Sequence, residues 1–318
     1  MSKHTQIGLG LAAIGRPEYI NIKTEEIEQS ETVFKANAMQ VLDEAYAQGV
    51  RVFDTAPSYG KGETFLIEWY KSRKPLDVLL STKWGYTYMA NWTLGYEGKH
   101  EIKEHSLPKL LEQWKVSKAL LPALQIYQVH SATLESGIFE NEDVLHQLHK
   151  IKTETGLKIG VTTSGANQVE IIEKALSIKI ENLLLFDSFQ VTYNVFEQAA
   201  FSKLKTLLSF GFTVIIKEAM ANGRVFENKT FPHYGEAYQT LRGLAKKYNV
   251  GVDAVAIRFI IDSLGPDIVL SGALTSGQLQ DNLKALSFQL STQEVHRLQQ
   301  LTVLSQKYWD ERSALKWR

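Results

Sequence analysis

Eight short apolar runs alternate with segments of helical spacing along the 318 residues, and this alternation limits the fold more than any other feature of the chain. The strand-like runs lie at 7–15, 50–54, 78–83, 124–129, 158–162, 188–192, 212–216 and 268–271. Helical spacing marks 31–48, 62–74, 105–121, 141–155, 168–178, 197–209, 234–248 and 252–264. Two more helices follow, one carrying Asn282 and one at 291–301 that opens with a Ser-x-x-Glu capping box. A helix between successive strands predicts a parallel sheet. Eight such units predict a (β/α)8 TIM barrel, a single domain over residues 1–318 with extra helices near 234–248 and 292–304 toward the C-terminus. The glycines of IGLGLAAIG (7–15) do not make a dinucleotide fingerprint. That motif leads straight into a helix, and here residues 16–26 intervene. They read instead as room for a ligand beside the first strand.

Strand parity then selects candidate residues. Side chains alternate between faces, so Val50, Val52 and Asp54 share one face, as do Leu79, Ser81 and Lys83, and Ile126, Gln128 and His130. Each series ends on its polar member. A fold that gathers those ends places a carboxylate, an ammonium and an imidazole in one pocket, with Tyr59 in the loop after Asp54. Such a group suits proton donation to a carbonyl oxygen. An ammonium kept charged by a carboxylate is expected to lower the phenol's ordinary pKa of ~10, while the imidazole orients the oxygen or relays a proton.

Composition removes other classes. Lys plus Arg equals Asp plus Glu at 35 each, so no basic field points to nucleic acid or an anionic membrane. The absence of cysteine excludes disulfides, thiol nucleophiles and Cys-based zinc sites. No stretch approaches the ~20 apolar residues of a membrane span, and MSKHTQIGLG lacks the apolar run of a signal peptide, so a cytoplasmic protein is expected. His146 and His149 share a helix face, but no third ligand is evident nearby and no metal site is expected.

FDTAPSYGKGE (53–63), STKWG (81–85) and QVHSA (128–132) together resemble the aldo-keto reductase superfamily. Its signature has Asp and Tyr in a D-T-A-x-x-Y-G context, a Lys after the third strand and a His after the fourth. The resemblance extends from GLGLAAIG (8–15) to the helix with Asn282. It implies an NAD(P)H-dependent oxidoreductase that reversibly reduces an aldehyde or ketone, a sugar or an aromatic aldehyde among the candidates. Asp54, Tyr59, Lys83 and His130 would be the catalytic residues, with Tyr59 as proton donor. The family leans monomeric. The alternative is a reductase-like cofactor sensor or regulatory subunit with little turnover, and a Schiff-base aldolase using Lys83 or Lys217 is a third reading.

The resemblance also implies cofactor contacts. Thr162 and Thr163 stand where the family usually has Ser-Asn holding the nicotinamide amide, and Gln190 matches the Gln under the ring. After the seventh strand the pattern departs: Lys217-Glu218-Ala219-Met220 replaces a stacking aromatic and Ser-Pro-Leu. Lys217 is left to meet a phosphate or to pair with a carboxylate. Ser271, Gly272, Gln278 and Asn282 match phosphate and adenine contacts. Residues 272–283 contain no Lys or Arg, which leaves Arg224 and Lys284 for a 2′-phosphate. NADPH is the expectation from the family and NADH the alternative. Residues 84–104 read as a long aromatic loop whose Trp84, Tyr86 and Trp92 either line a substrate pocket or cover the barrel rim. The tail through Trp309 and Trp317 is expected to pack across the barrel or fold over its mouth.

Overall fold

The computed structural model describes residues 4–19 and 30–316; Trp317 lies outside them. Eight strands form a closed barrel: β1 (Gln6–Gly10), β2 (Val52–Asp54), β3 (Leu79–Trp84), β4 (Leu124–Ala132), β5 (Lys158–Thr163), β6 (Ser188–Thr192), β7 (Thr213–Lys217) and β8 (Ile268–Ser271). Each pairs in parallel with its sequence neighbours, and β8 pairs with β1 to close the ring. The predicted (β/α)8 barrel is therefore present.

The helices follow their apolar spacing. Helix α1 (Glu31–Ala47) buries Phe34, Ala38, Val41, Leu42 and Ala45, one stripe against the barrel, and the Ser30 hydroxyl caps it by accepting from the Val33 N–H. Helices α2 (Gly62–Arg73), α3 (Leu107–Ser117), α4 (Glu142–Thr155), α5 (Gln168–Leu176) and α6 (Phe201–Ser209) complete the ring beside strands β2 to β6. Two helices, α7 (Gly235–Tyr248) and α8 (Val252–Ser263), fill the crossover after β7, and α9 (Ser276–Leu283) follows β8. Helix α10 (Thr292–Gln299) carries the expected capping box, with Ser291 and Glu294 exchanging hydrogen bonds. Helix α11 (Ser305–Ser313) buries Tyr308 and Trp309.

The barrel interior is layered. Val52, Ile126, Ile215, Ile268 and Leu270 form an apolar cluster of their own, with Leu79 packed against it. Two residues further along the same faces, the side chains turn polar: Asp54 after Val52, Ser81 and Lys83 after Leu79, Gln128 after Ile126. Parity carries each strand from an apolar plug at one end to a polar floor at the other, the C-terminal end where barrel sites are built.

One expectation fails here. Residues 84–104 are not a structureless loop: Tyr86–Tyr88 pairs antiparallel with Glu101–Lys103 as a two-stranded ribbon beside the barrel mouth. The Gln113 carboxamide on α3 anchors it, accepting from Gly85 N–H at 2.8 Å and donating to the Tyr86 carbonyl at 2.8 Å.

The loops after β1 and β2 cross where Lys61 N–H donates to the Gly15 carbonyl at 2.7 Å. A Cβ on Gly15 would stand 2.1 Å from the Tyr59 carbonyl oxygen and 2.6 Å from Gly62 Cα, so only glycine permits the crossing. Gly15→Ala is expected to cost about 1–3 kcal/mol, the usual range for overpacking, read as a lower urea midpoint. Gly235→Ala, where a Cβ meets nothing within 4 Å, is the control expected to leave the midpoint unchanged or raised.

Candidate active site

The polar floor is built around Asp54. It sits at the end of β2, 2% exposed, opposite Ser81 in the β2–β3 register. Its Oδ1 accepts from Ser81 Oγ at 2.9 Å and Gln190 Nε2 at 3.1 Å, and its Oδ2 is ion-paired with Lys83. Lys83 is fully buried and donates a second hydrogen bond to the Thr55 carbonyl at 3.1 Å. Gln128 Nε2 donates to Ser81 Oγ at 2.8 Å, which locks the hydroxyl toward Asp54. Strands β2, β3, β4 and β6 thus meet through one carboxylate.

Tyr59 and His130 stand above this pair. The loop after β2 turns on a Tyr59 N–H to Ala56 carbonyl bond of 3.0 Å and is held from outside by Arg16, whose Nη1 donates to the Ser58 carbonyl at 3.0 Å. The Tyr59 ring lies 4.8 Å from Lys83 Nζ and edge-on to the His130 ring, 5.5 Å between centroids. His130 leaves β4 at a register shift between Val129 and Ala132, with Ser131 at φ 47°. Its Nδ1 lies 3.4 Å from Ser58 Oγ, and its carbonyl accepts from His105 Nε2 at 3.0 Å. The four residues chosen by parity and motif are brought together.

The expected effect of Lys83 on the phenol does not hold. Burial, and after it the Asp54 charge, pushes Tyr59 well above the ordinary phenol value. Asp54 takes up the Lys83 charge at contact distance, so the ammonium does not reach the phenol as a free charge. Tyr59 is consequently held as the neutral, proton-bearing acid. Burial, with the charges of Lys83, Lys217 and Arg16 behind it, holds His130 well below the ordinary imidazole value, so its ring is neutral with one N–H to donate.

A cavity of about 550 Å³ opens on this floor, lined by Asp54, Tyr59 and His130 at one end and by Ser271, Gln278 and Asn282 at the other. Of the other expected contacts, Thr162, Gln190, Lys217, Gly272 and Tyr86 also line it. The Thr162 hydroxyl accepts from Ser131 N–H at 2.6 Å and keeps its own proton to donate. Ser271 Oγ donates to Asn282 Oδ1 at 2.6 Å, and Asn282 Nδ2 to Asp253 Oδ2 at 2.6 Å, which fixes the far end.

Four expectations are corrected. Trp84 is fully buried outside the barrel, edge-on to His105 at 5.6 Å, because Lys83 points inward and its neighbour must point out. Trp92 packs against Phe34 of α1 at 5.4 Å and does not line the cavity. Thr163 also points outward, donating to Gln168 Oε1 at 2.8 Å, while Ser164 reaches the cavity instead. Arg224 is fully buried under α11, with its guanidinium 4.0 Å from the Tyr308 ring centroid and bonded to the Ala221 and Tyr308 carbonyls, and it does not line the cavity.

The structure also adds residues that sequence reasoning missed. Arg16, Tyr19, Glu101 and Arg312 line the cavity near Tyr59, and Asp253 and Asp281 line the far end. Arg16 pairs with Glu101 of the ribbon at 2.9 Å. Arg312 of α11 holds Glu218 through Nε and Nη2, both at 2.9 Å, so the tail does reach over the mouth. Burial opposes the charge on Glu218, but Arg312 and then Lys217 outweigh it and hold the carboxyl down at about 2. The only signal in the sequence was position: Arg16 directly follows the first strand, and nothing marked Arg312.

The sequence profile of the Aldo/keto reductase family matches residues 6–303. The chain belongs to the aldo/keto reductase family. Among its relatives, Aldo-keto reductase YhdN of Bacillus subtilis is 27% identical over 311 residues, covering 87% of this chain and 83% of that protein. Aldo-keto reductase ausK of Aspergillus calidoustus is 23% identical over 299 residues, covering 83% and 72%. The holo form of an aldo-keto reductase from Bacillus halodurans superposes with a TM-score of 0.69 at 19% identity, covering 95% of this chain and 93% of that one. Membership supports an oxidoreductase acting on carbonyl groups, in a family that uses NAD(P)H. Among the described residues, no helix is long and apolar enough to cross a membrane.

Asp54→Ala leaves Lys83 buried without its partner and is expected to cost about 3–5 kcal/mol. The double change Asp54→Leu with Lys83→Met should cost less than the single one, as urea denaturation of all three proteins would reveal. The Glu218–Arg312 pair gives a pH signature. A carboxyl lowered from 4.5 to about 2 stabilises the fold above its unfolded value and loses that contribution as pH falls through the window between them. Glu218→Gln should lack this acid-sensitive increment in urea midpoints measured from pH 5 to pH 2.

Proposed function

We propose that the chain catalyses the reversible reduction of an aldehyde or ketone with a nicotinamide dinucleotide coenzyme, Tyr59 giving the proton to the carbonyl oxygen. The observation that carries this reading is the meeting of the Tyr59 phenol and the His130 imidazole, ring centroids 5.5 Å apart, on the floor of a cavity large enough for a ligand. The lining also fits the coenzyme: the Thr162 and Ser164 hydroxyls and the Gln190 carboxamide suit an amide, and the far end offers Ser271, Gln278 and a bare Gly272.

When bound, the coenzyme supplies a hydride to the carbonyl carbon. The chain's own residues manage the oxygen. Tyr59 donates its proton there as negative charge develops, and His130 N–H orients the same oxygen. Tyr59 holds its ring 4.8 Å from Lys83 Nζ, over the ion pair that fixes the floor. Tyr86 narrows the cavity beside His130, 4.8 Å between ring centroids, and supports an aromatic or apolar substrate face.

The far end favours NADH over NADPH. A 2′-phosphate needs a placed cation, whereas a free 2′-hydroxyl suits a carboxylate. Of the two candidate cations, Arg224 is buried under α11 and Lys284 is held by Asp281 at 2.6 Å, while Asp253 and Asp281 line the cavity.

Tyr59→Phe should bind coenzyme as the wild type does, by quenching of tryptophan fluorescence, yet lose roughly 10²-fold or more of kcat on an aldehyde panel, the usual range for general acid catalysis. Full turnover by the variant would remove the acid role, and wild-type binding without turnover would favour the sensor reading. NADH should bind more tightly than NADPH, and Asp281→Asn should narrow that gap.

A further inference from the structure

Among the described residues, Lys217 is the cavity-lining cation that makes no ion pair and that the mechanism leaves unused. It ends β7, opposite Thr192 of β6, and its amine makes no hydrogen bond or ion pair among the described residues. It lies over the Trp309 ring of α11, 5.8 Å from Nζ to the centroid. Glu218 beside it is taken by Arg312 through two hydrogen-bond contacts, and Asp54 is taken by Lys83. Glu218 and Asp54 are thus each in contact with another cation, and Glu218 acts on Lys217 only through its charge. One net positive charge is left on the cavity that Tyr59 and His130 also line.

We propose that Lys217 determines which oxidation state of the coenzyme the site retains, admitting the reduced form and expelling the oxidised one. This rests on the reading given above. A proton delivered by Tyr59 to a carbonyl oxygen requires the hydride donor at the carbon about 1.2 Å away, so the coenzyme's reactive ring must share the floor that Lys217 faces. The reduced ring is uncharged and the oxidised ring is cationic. A fixed ammonium leaves the first nearly untouched and repels the second, and inside a protein that repulsion is much larger than in water. Reduction of the carbonyl thus creates, next to Lys217, the charge that drives the spent coenzyme out.

The ammonium also carries its own pH control. Burial lowers Lys217 to about 8, although Glu218 opposes the shift. The groups that face it from the neighbouring elements are Glu218 on its own strand end, Arg312 on α11, the Lys83–Asp54 pair on β3 and β2, and His130 on β4. Glu218 stays ionised and His130 stays neutral between pH 7 and 9 for the reasons given above, and Arg312 is raised further by Glu218. Beside Glu218, His130 and Arg312, Lys217 is the group that loses charge in that window.

The test is equilibrium binding, without substrate, of NAD⁺ and NADH to the wild type, Lys217→Met and Lys217→Arg. The phosphorylated pair is used alongside, in case the protein prefers it. In the wild type the reduced form should bind more tightly, and NAD⁺ affinity should rise as pH passes from 7 to 9 while NADH affinity stays flat. Lys217→Met should bind NAD⁺ at least tenfold more tightly, with NADH within about threefold and no pH dependence in this range; Lys217→Arg should keep the discrimination at every pH. An affinity ratio unchanged in Lys217→Met, or a wild-type ratio that does not move with pH, overturns the inference and leaves the proposed function standing. If no form of either coenzyme binds the wild type, the proposed function falls and this inference with it.

Discussion

The buried ion pair of Asp54 and Lys83 is the interaction on which the rest of the site depends. Two charges removed from water cost several kcal/mol each unless their remaining hydrogen bonds are met. The barrel meets them with Ser81, Gln190 and the Thr55 carbonyl, drawn from strands or loops that only closure of the ring brings together. Having been satisfied this way, Lys83 is no longer a free charge near Tyr59. The phenol keeps its proton because burial and Asp54 outweigh the ammonium, while the same surroundings keep His130 neutral. A donor and an orienting group therefore coexist in one pocket without a charged partner between them.

A second network answers the first from the other side of the mouth. Helix α11 places Arg312 on Glu218, Glu311 against Arg224 at 3.3 Å, and Tyr308 beneath Asn194, whose Nδ2 donates to its hydroxyl at 2.9 Å. Glu218 occupies a left-handed conformation at φ 55°, a strain these contacts hold in place. The charges are unevenly spread along the cavity as a result. At the tetrad end Arg16, Arg312 and Lys83 are matched by Glu101, Glu218 and Asp54, which leaves the charge of Lys217, whereas Asp253 and Asp281 lie at the far end. That polarity, more than any single residue, separates the end that handles the carbonyl from the end that holds the rest of a ligand.

Much of the site was legible from alternation alone. A strand side chain has two choices of face, so once Val52, Leu79 and Ile126 were assigned to the interior, Asp54, Lys83 and Gln128 followed. The same rule, applied strictly, would have kept Trp84 and Thr163 out of the cavity, since each adjoins an inward residue. Aromatic identity at Trp84 and family position at Thr163 point into the cavity, and parity overrides both. Arg224 failed for a different reason. A cation in a loop looks available to a phosphate until a helix some 80 residues later covers it with Tyr308 and Glu311, a contact of long sequence separation that no local pattern encodes. The ribbon at Tyr86–Tyr88 and Glu101–Lys103 was missed because its strands are three residues each, too short to show a period.

By itself the sequence determined the order of strands and helices, the inward face of each strand and the residue type at each strand end, because these follow from backbone geometry over a few neighbouring residues. Tertiary structure decided the rest. It set which charges cancel one another, which of two adjacent side chains meets the cavity after a bulge, and which loops Arg16 and Arg312 can reach. Those outcomes depend on distances between groups far apart in the chain and on how much water remains around them. Both quantities exist only once the barrel has closed and α11 has packed against its mouth.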